Sequence, residues 1–413
     1  MSAQVETIAP DDFARDRVPQ SATIGLLRLL LILLAIPIAL PAFVLGAQLG
    51  KGLGLAGAVL GCFAGGAVLA AIAVPAAFVG ARAKLSTYML INQAFGATGG
   101  KLVNALLALS LLGWFGVIMT MFGRSAFETL QALAGAQPIG MLGWSALGCV
   151  LMIVTSVVGF RAIDRLSLLL TPFKILLLVW TLVAAISRYG METARAALAQ
   201  PDFSLAAGIS MVVGGLAAGA VLQPDICRFA RSARAGTIAA FLTFAVGFPL
   251  VLLLAAIPAL ATGESDMITI MIGLGLGVPA LLIVLLAAWT MNTYNLYASS
   301  LVLTTILPHE KRWRATLVVG VIGAALGVLG ISDLLVPYLL ILSIAIPPIG
   351  GVYVVSYFAR RDAPIAQFHI AAFAAWFAGA GFAFAGFALT PVPAVDSTLI
   401  AAVLTFLLVR RTV

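Results

Sequence analysis

The chain alternates between long apolar runs and short polar connections along nearly its whole length. Each apolar run has about 20 residues, the length that an α-helix needs to cross the hydrocarbon core of a bilayer. A transmembrane β-barrel would show shorter segments of alternating hydrophobicity instead. The runs predict twelve membrane-spanning helices, at residues 24–48, 54–79, 102–123, 139–160, 166–187, 205–222, 237–261, 275–303, 314–331, 335–358, 366–388 and 394–409.

Two of these spans contain helix breakers at matching places in the two halves of the chain. The first span has Pro37 and Pro41 in "AIPIALPAFVLG", and each proline removes a backbone donor. The sixth has Gly214, Gly215 and Gly219, followed by Pro224. Interrupted spans at equivalent positions of two repeats are typical of a transporter substrate site. The alternative is that these glycines only allow close helix packing.

The repeat interpretation divides the chain into four parts. Residues 1–23 form a polar tail without the short apolar core of a cleavable signal peptide. Residues 24–187 and 205–358 are the two five-helix repeats, and residues 366–409 supply two additional transmembrane helices. We therefore expect an all-α integral membrane protein.

The eighth span is unusually polar at its end, with the sequence "AAWTMNTYNLYASS" from Ala287 to Ser300. At 100° per residue its polar side chains fall on two sides of the helix, which predicts a central position in the bundle. We expect Tyr297 and Ser299 to make interhelical hydrogen bonds. Thr290 and Asn292, at the polar boundary, are functional candidates, since an amide can read the edge of an amide-like heterocycle. Trp114 in the third span offers a face for stacking a flat ring.

Composition and charge support a membrane protein. Of the 413 residues, 62% are hydrophobic and 9% charged, whereas soluble domains have about 25% charged residues. The net charge of +8 follows the positive-inside rule rather than indicating nucleic-acid binding. Most Lys and Arg residues fall on the side of the termini, which predicts cytoplasmic termini in the inner (plasma) membrane.

Two basic residues, Arg28 and Lys174, lie within predicted spans, where we expect their long side chains to snorkel to the span ends. No acidic residue is expected deep in a span. A strongly cationic substrate would then lack a counter-charge, so a neutral solute is favoured.

Enzyme motifs are absent from the sequence. It contains no GxxxxGK[ST] loop, HExxH or Gly-x-Ser-x-Gly elbow. His309 and His369 lie in or beside predicted loops, and the spacing of Cys62, Cys149 and Cys227 is typical of neither a metal site nor a disulfide framework. We expect no catalytic residues, no metal site and no cofactor.

Several segments together resemble the cytosine/purine/uracil/thiamine/allantoin permeases, or nucleobase–cation symporters, with a particular likeness to bacterial cytosine permeases. The resemblance covers nearly the whole chain and depends on the order of five segments. These are VPQSA (18–22), GWFGV (113–117), PDICRFARSAR (224–234), WTMNTYNLYASSL (289–301) and IPPIGGV (346–352).

The resemblance implies a LeuT-type fold: a five-plus-five inverted repeat with two C-terminal helices, working by alternating access. It also implies that Trp114 stacks on the base, that Asn292 reads the base edge, and that Gly215 and Leu216 complete the pocket.

A coupling cation, Na⁺ or H⁺, is implied between the first and eighth spans. Its implied ligands are the carbonyls of Ala35, Ile38 and Ala287 and the hydroxyl of Thr290.

Three residues depart from the family pattern. Met291 replaces a cation-site hydroxyl, and a thioether is a poor ligand for a hard cation. Leu216 replaces an aromatic residue, which leaves stacking on one side only. Leu111 replaces a glutamine that would pair with the base. These changes predict a weakened sodium site and a more apolar pocket.

The leading hypothesis is a secondary transporter that imports a nucleobase, cytosine-like or purine, or a related small heterocycle with a cation. Two alternatives stay open: a permease of the same architecture for a thiamine precursor, amino acid or amine, and a membrane receptor or scaffold that has lost transport. The expected partners are the substrate and the lipid bilayer, and the oligomeric state is not predicted.

Overall fold

The computed structural model is built from helices packed around one buried core. It describes residues 13, 16–135, 139–200, 203–306, 311–359 and 365–409. The helices are α1 (Leu26–Ala35), α2 (Leu40–Ala83), α3 (Thr87–Phe95), α4 (Ala97–Ala134), α5 (Met141–Val158), α6 (Phe160–Tyr189), α7 (Met191–Ala196), α8 (Leu205–Val221), α9 (Gln223–Cys227), α10 (Ala233–Phe241), α11 (Phe248–Thr262), α12 (Met267–Gly273), α13 (Gly277–Ile306), α14 (Arg312–Val328), α15 (Leu335–Ala345), α16 (Pro347–Ala359), α17 (Ile370–Phe384) and α18 (Pro393–Val409). A π-helical turn, Leu242–Gly247, joins α10 to α11.

Several of these helices have the length and apolarity of membrane spans. Within the described residues, 7 helical stretches are long and apolar enough to cross a bilayer; five lie in α2, α4, α5, α6 and α13, one joins α10 to α11 and one joins α15 to α16. Helices α1, α8, α17 and most of α18 are shorter and apolar. The 44-residue α2 contains the end of one predicted span and the whole of the next. It bends at Gly54, whose φ of 65° lies in the region that favours glycine. The all-helical membrane architecture is thus confirmed, and the count of twelve spans stays a prediction.

The predicted break in the first span is present. Helix α1 ends at Ala35 and α2 begins at Leu40, leaving residues 36–39 outside both helices. Pro41 lies in the first turn of α2, where its missing N–H leaves no hydrogen bond unmade.

The sixth span breaks later than its glycines indicated. Gly214, Gly215 and Gly219 all lie inside the continuous helix α8, and the break falls at Leu222, just before Pro224 in the first turn of α9. The physical reason is close packing: a Cβ at Gly214 would lie 2.4 Å from the carbonyl oxygen of Leu339 in α15. At this position the close-packing interpretation was correct, and proline sets the break.

Helix α13 occupies the predicted central position. It packs against α4, α5, α6 and α14. Its polar side chains are buried on both sides of the helix, including Thr290, Asn292, Thr293, Asn295 and Ser299. The two-sided polarity read from the sequence is therefore explained by burial on all sides.

The two ends of the bundle differ. At one end lies a water-accessible vestibule of about 620 Å³, lined by Val44, Arg124, Glu128, Ser265 and Asp266 among others. At the other end, described residues just before α1 contact the ends of helices: Val18 donates to the carbonyl of Lys84 and Ile24 to that of Phe229.

The covered end is closed by specific contacts. Ile24 forms a backbone bridge with Ala230. The guanidinium of Arg228 is fully buried and donates to the carbonyl of Phe13 at 2.7 Å and to the hydroxyl of Tyr297 at 3.3 Å. The structure is thus open at the vestibule and shut at the N-terminal end.

The contact between α8 and α15 gives a first test. We expect Gly214→Ala to destabilise the protein by about 1–3 kcal/mol, because the methyl group meets backbone rather than a movable side chain. Gly381→Ala is the matched control, since a Cβ on this helical glycine of α17 meets nothing within 4 Å. Thermal unfolding of the detergent-purified variants measures the difference. Equal melting midpoints for the two variants would contradict the close contact.

Candidate functional site

A buried cavity lies where the break between α1 and α2 meets α4, α8, α13 and α15. Its lining includes Ile36, Pro37, Ala39, Trp114, Gly215, Leu216, Phe248, Met291 and Leu339. Its volume is about 30 Å³, room for about two water molecules. Val44 lines both the cavity and the vestibule, so the two spaces adjoin at this residue. A ring-sized solute needs side chains to move before it fits.

Trp114 is the large aromatic side chain that α4 presents to this cavity. It is 4% exposed and packs edge-on against Tyr338, with ring centroids 5.7 Å apart and an interplanar angle of 67°. The Tyr338 hydroxyl donates to the carbonyl of Ser110, one turn before Trp114. These contacts hold the indole in place, with its remaining surface available to the cavity.

Gly215 and Leu216 line the same cavity from α8. A Cβ at Gly215 would lie 3.2 Å from Leu45, so glycine keeps this wall open. The Leu216 side chain is apolar and gives no second stacking face. Three of the four predicted substrate residues are thus brought together.

Asn292 is not part of the cavity lining in this conformation. Its amide donates to the carbonyl of Phe115 at 3.0 Å, and its side-chain oxygen accepts from Asn295 at 3.0 Å. Its neighbour Met291 faces the cavity instead. Successive residues of a helix point about 100° apart, which explains why Met291 rather than Asn292 lines the cavity here. A role in reading the base edge stays a prediction.

Gln48 is a polar side chain that the sequence analysis missed. It lies in α2, lines the cavity and is partly buried. No charged residue is among the described residues of the lining. The amide of Gln48 thus offers hydrogen bonds to a solute in an otherwise apolar cavity. Its signal was an isolated glutamine in an apolar run soon after the broken segment.

Three of the four predicted cation-site residues come together around a lysine, and the fourth, Ala287, lies one turn before Thr290 on α13. The Lys174 ammonium donates to the carbonyls of Ala35 at 2.9 Å and Ile38 at 3.1 Å, and to the Thr290 hydroxyl at 2.8 Å. The Thr290 hydroxyl lies 3.3 Å from the Ala287 carbonyl. The amine of a lysine therefore lies among groups that the family resemblance implied for a free cation.

The break between α1 and α2 explains why these carbonyls are available. In a continuous helix, the Ala39 amide would donate to Ala35 and the Ala42 amide to Ile38. Here Ala39 donates to Pro37 and Ala42 donates to Ala39, each at 3.0 Å. The carbonyls of Ala35 and Ile38 can then accept from Lys174.

The expectation that Lys174 snorkels to a span end is wrong. Lys174 is 0% exposed and lies at the middle of α6, which runs from Phe160 to Tyr189. Either end is about 21 Å away at 1.5 Å per residue, well beyond the reach of a lysine side chain. The missed signal was its central place in an apolar span, where an ionisable residue is usually functional.

Arg28 behaves as expected for a residue near a helix end. Its side chain is 47% exposed and pairs with Asp164, near the start of α6. This ion pair, and the hydrogen bond from Thr171 to the Leu31 carbonyl, fasten α1 to α6.

Together these features define a class of protein: a helical membrane protein with two discontinuous helices, a central cavity and a buried lysine beside it. The family is shown by a family model, "Permease for cytosine/purines, uracil, thiamine, allantoin", which matches residues 17–404. The chain belongs to this permease family.

Curated relatives agree with this assignment. The cytosine permeases of Escherichia coli O157:H7 and of E. coli strain K12 are each 32% identical to the chain over 356 residues, covering 85% of this chain and 82% of the relative.

Solved structures share the fold. Mhp1, a nucleobase-cation-symport-1 family transporter in a closed conformation with bromovinylhydantoin bound, matches with a TM-score of 0.82 at 19% identity, covering 96% of this chain and 95% of Mhp1. A Na⁺-coupled sialic acid symporter matches with a TM-score of 0.65 at 14% identity, covering 97% and 91% of the two chains. The expected LeuT-type likeness is thus supported at the level of fold.

The hydrogen bonds of Asn292 give a second test. We expect Asn292→Ala to lower stability by about 1–3 kcal/mol, because it leaves the buried Asn295 amide without its acceptor. Ser299→Ala is the control, because the buried Ser299 hydroxyl has no hydrogen-bond partner among the described residues. The readout is the melting midpoint without substrate. A Ser299→Ala protein less stable than Asn292→Ala would contradict these assignments.

Proposed function

We propose that this permease imports a nucleobase or a related small, flat, uncharged heterocycle by cation-coupled alternating access. The observation that carries the proposal is the apolar cavity that adjoins the vestibule, with the Trp114 indole on one wall and the broken first span on another. A stacked ring fits such a wall because its flat face makes continuous contact with the indole.

The chemistry of the cavity favours an uncharged solute. A charged substrate would need a counter-charge, and the described lining residues carry none. The amide of Gln48 is a suitable partner for one polar edge of the ring, since it offers two donors and an acceptor. A single amide and a single stacking face favour a ring on which apolar substituents accompany few polar groups, such as an alkyl-substituted pyrimidine.

The open vestibule and the closed N-terminal end correspond to a conformation that accepts substrate from outside the cell. We assign the vestibule to the extracellular side because the basic residues gather at the opposite end. Import then requires the contacts of Arg228 and the Ile24–Ala230 bridge to separate while the vestibule closes.

The twelve-span topology, with cytoplasmic termini in the plasma membrane, belongs to this proposal. So do the roles of Gly215 and Leu216 in shaping the pocket and of Ala35, Ile38, Ala287 and Thr290 in holding a cation. Asn292 joins the substrate site only if the helices move as the cavity enlarges around the ring.

A ligand screen tests the proposal directly. Purified protein is melted with a panel of uncharged heterocycles, including cytosine, uracil, hypoxanthine, allantoin and hydantoins, and in parallel with thiamine, amino acids and amines. The proposal predicts stabilisation by at least one uncharged heterocycle and by none of the others. Stabilisation by an amino acid or amine would favour the alternative permease, and no stabilisation by any solute would favour a receptor or scaffold.

The stacking wall gives a third test. We expect Trp114→Ala to weaken binding of the stabilising heterocycle by about 1–3 kcal/mol, roughly 5- to 150-fold in affinity, the range measured for aromatic stacking of bases. Trp180→Ala is the matched control, since Trp180 is 53% exposed on the outer surface of α6. Radiolabelled uptake into proteoliposomes and thermal shift both report the change. Equal affinity in the two variants would remove Trp114 from the substrate site.

Gln48 has a test of its own. Gln48→Leu keeps the size of the side chain but removes its hydrogen bonds, so we expect selectivity among ring substituents to change more than total capacity. Uptake of one ring with and without an N-methyl group measures it. An unchanged preference would place the amide of Gln48 outside the substrate site.

A further inference from the structure

We propose that the Lys174 amine takes the place of the free coupling cation, so that this permease is driven by protons and does not bind sodium at that position. The inference rests on the proposed transport function. It departs from the Na⁺ coupling stated for the sialic acid symporter that shares the fold.

The geometry around Lys174 suits a protonated amine. A protonated lysine has three N–H donors, and Lys174 has three acceptors at 2.8–3.1 Å: the carbonyls of Ala35 and Ile38 and the hydroxyl of Thr290. These are the oxygens that a metal cation between the first and eighth spans would use. A sodium ion there would have to displace the ammonium, because two positive charges cannot share one set of oxygens.

A sodium ion at this position would lack one oxygen ligand, because Met291 stands where the family pattern has a hydroxyl. A hard cation prefers a full shell of oxygens, and Met291 supplies a thioether next to Thr290. Moreover, the Met291 side chain lines the substrate cavity and is only 7% exposed. The Lys174 ammonium has one acceptor for each of its three N–H donors and needs no further oxygen. Met291, which weakens a sodium site, therefore leaves the amine fully hydrogen-bonded.

Among the described residues, no carboxylate on the helices packed around Lys174 pairs with it. Lys174 lies on α6, which packs against α1, α5, α11 and α13. The other titratable or charged side chains of these helices are Arg28, Cys149, Arg161, Asp164, Arg165, Arg188, Tyr189, Tyr294 and Tyr297. Asp164 is the single carboxylate among them, and it pairs with Arg28 about 15 Å along the helix from Lys174. The ammonium is therefore held by dipoles alone.

An ammonium held by dipoles depends on their positions. Two of its acceptors lie at the end of α1 and beside the start of α2, and the third lies on α13. If α1 moves relative to α13 during the access change, the ammonium loses hydrogen-bond acceptors. A neutral amine needs fewer acceptors than an ammonium does. An uncompensated charge in the membrane interior is costly, so this movement favours loss of the proton.

The proton step is simple. In the vestibule-open state the nitrogen lone pair takes a proton from a hydronium ion on the vestibule side, which becomes water, and the ammonium makes the three hydrogen bonds seen here. After the access change one N–H bond breaks, its electron pair stays on Nζ, and the proton passes to water on the opposite side. The neutral amine then returns with the empty carrier.

The broken segment connects this amine to the substrate. Ile36, Pro37 and Ala39 line the cavity, while the carbonyls of Ala35 and Ile38 hold Lys174. A ring that pushes on one side of residues 36–39 therefore moves the acceptors of the amine on the other side. Likewise, Thr290 contacts the amine and its neighbour Met291 contacts the cavity.

The first experiment needs no substrate. Melting of the purified protein is followed in NaCl and in matched choline chloride. The wild type should show no sodium-specific shift, because the ammonium occupies the oxygens. A sodium-specific rise in the wild type would overturn the proposal without affecting the proposed substrate class.

A pair of variants sharpens this test. Lys174→Ala frees the oxygens, and the double variant Lys174→Ala with Met291→Ser adds a hydroxyl beside Thr290. We expect a sodium-dependent shift of several degrees in the double variant, a smaller one in Lys174→Ala, and none in the control Lys101→Met, an exposed lysine at the start of α4. Equal sodium responses in the wild type and the double variant would contradict the claim that the Lys174 ammonium and a sodium ion use the same oxygens. If the double variant fails to fold, the wild-type result still decides.

The second experiment measures coupling in proteoliposomes with the radiolabelled heterocycle identified by the ligand screen. Wild-type protein should accumulate it without sodium when the outside is acidic, and Lys174→Met should only equilibrate it. Sodium-dependent accumulation, or uptake indifferent to the pH gradient, would overturn the proton role. A wild-type protein that neither binds nor accumulates the heterocycle would contradict the proposed function instead.

Discussion

The structure depends on how broken backbone is satisfied inside a membrane protein. The gap between α1 and α2 leaves the carbonyls of Ala35 and Ile38 without their helical donors, and unpaired carbonyls in a membrane interior cost several kcal/mol each. The Lys174 ammonium satisfies both. The buried amine gains acceptors and the broken helix gains a donor at the same point, where α1, α6 and α13 meet. Each therefore reduces the free-energy cost of the other.

The site is arranged around this point. Residues 36–39 form a wall of the cavity on one side and bring the carbonyls to Lys174 on the other. The cavity and Lys174 lie on opposite sides of one short segment that belongs to neither α1 nor α2. A permease of this family needs substrate and coupling ion to sense one another, and a shared segment of this kind provides a direct mechanical connection.

Much of the fold was predictable because a bilayer imposes simple rules. Apolar runs of the right length predicted helices, and Pro37 with Pro41 predicted the first break correctly. The polar pattern of α13 predicted its burial on all sides. The glycines of α8 were harder, because Gly214 serves close packing against Leu339 and only Pro224 marks the break. A glycine by itself does not distinguish these two uses.

The site was less predictable, because distant parts of the chain supply it. Trp114 and Thr290 were found from local polarity and aromaticity. Lys174 was not, since its partners lie about 140 residues earlier and 116 later in the chain. The direction of Asn292 was missed for a similar reason: its amide is held by Phe115 on another helix. Single-residue patterns predict which side chains are unusual, and the tertiary structure decides what they contact.

Proton movement during transport tests the central claim most directly. Vesicles loaded with a pH-sensitive dye are suspended in sodium-free medium, and the transported heterocycle is added outside. If Lys174 carries the coupling proton, the interior should acidify with wild-type protein and stay unchanged with Lys174→Met. No acidification by a wild type that takes up the heterocycle, or a requirement for sodium, would contradict the account.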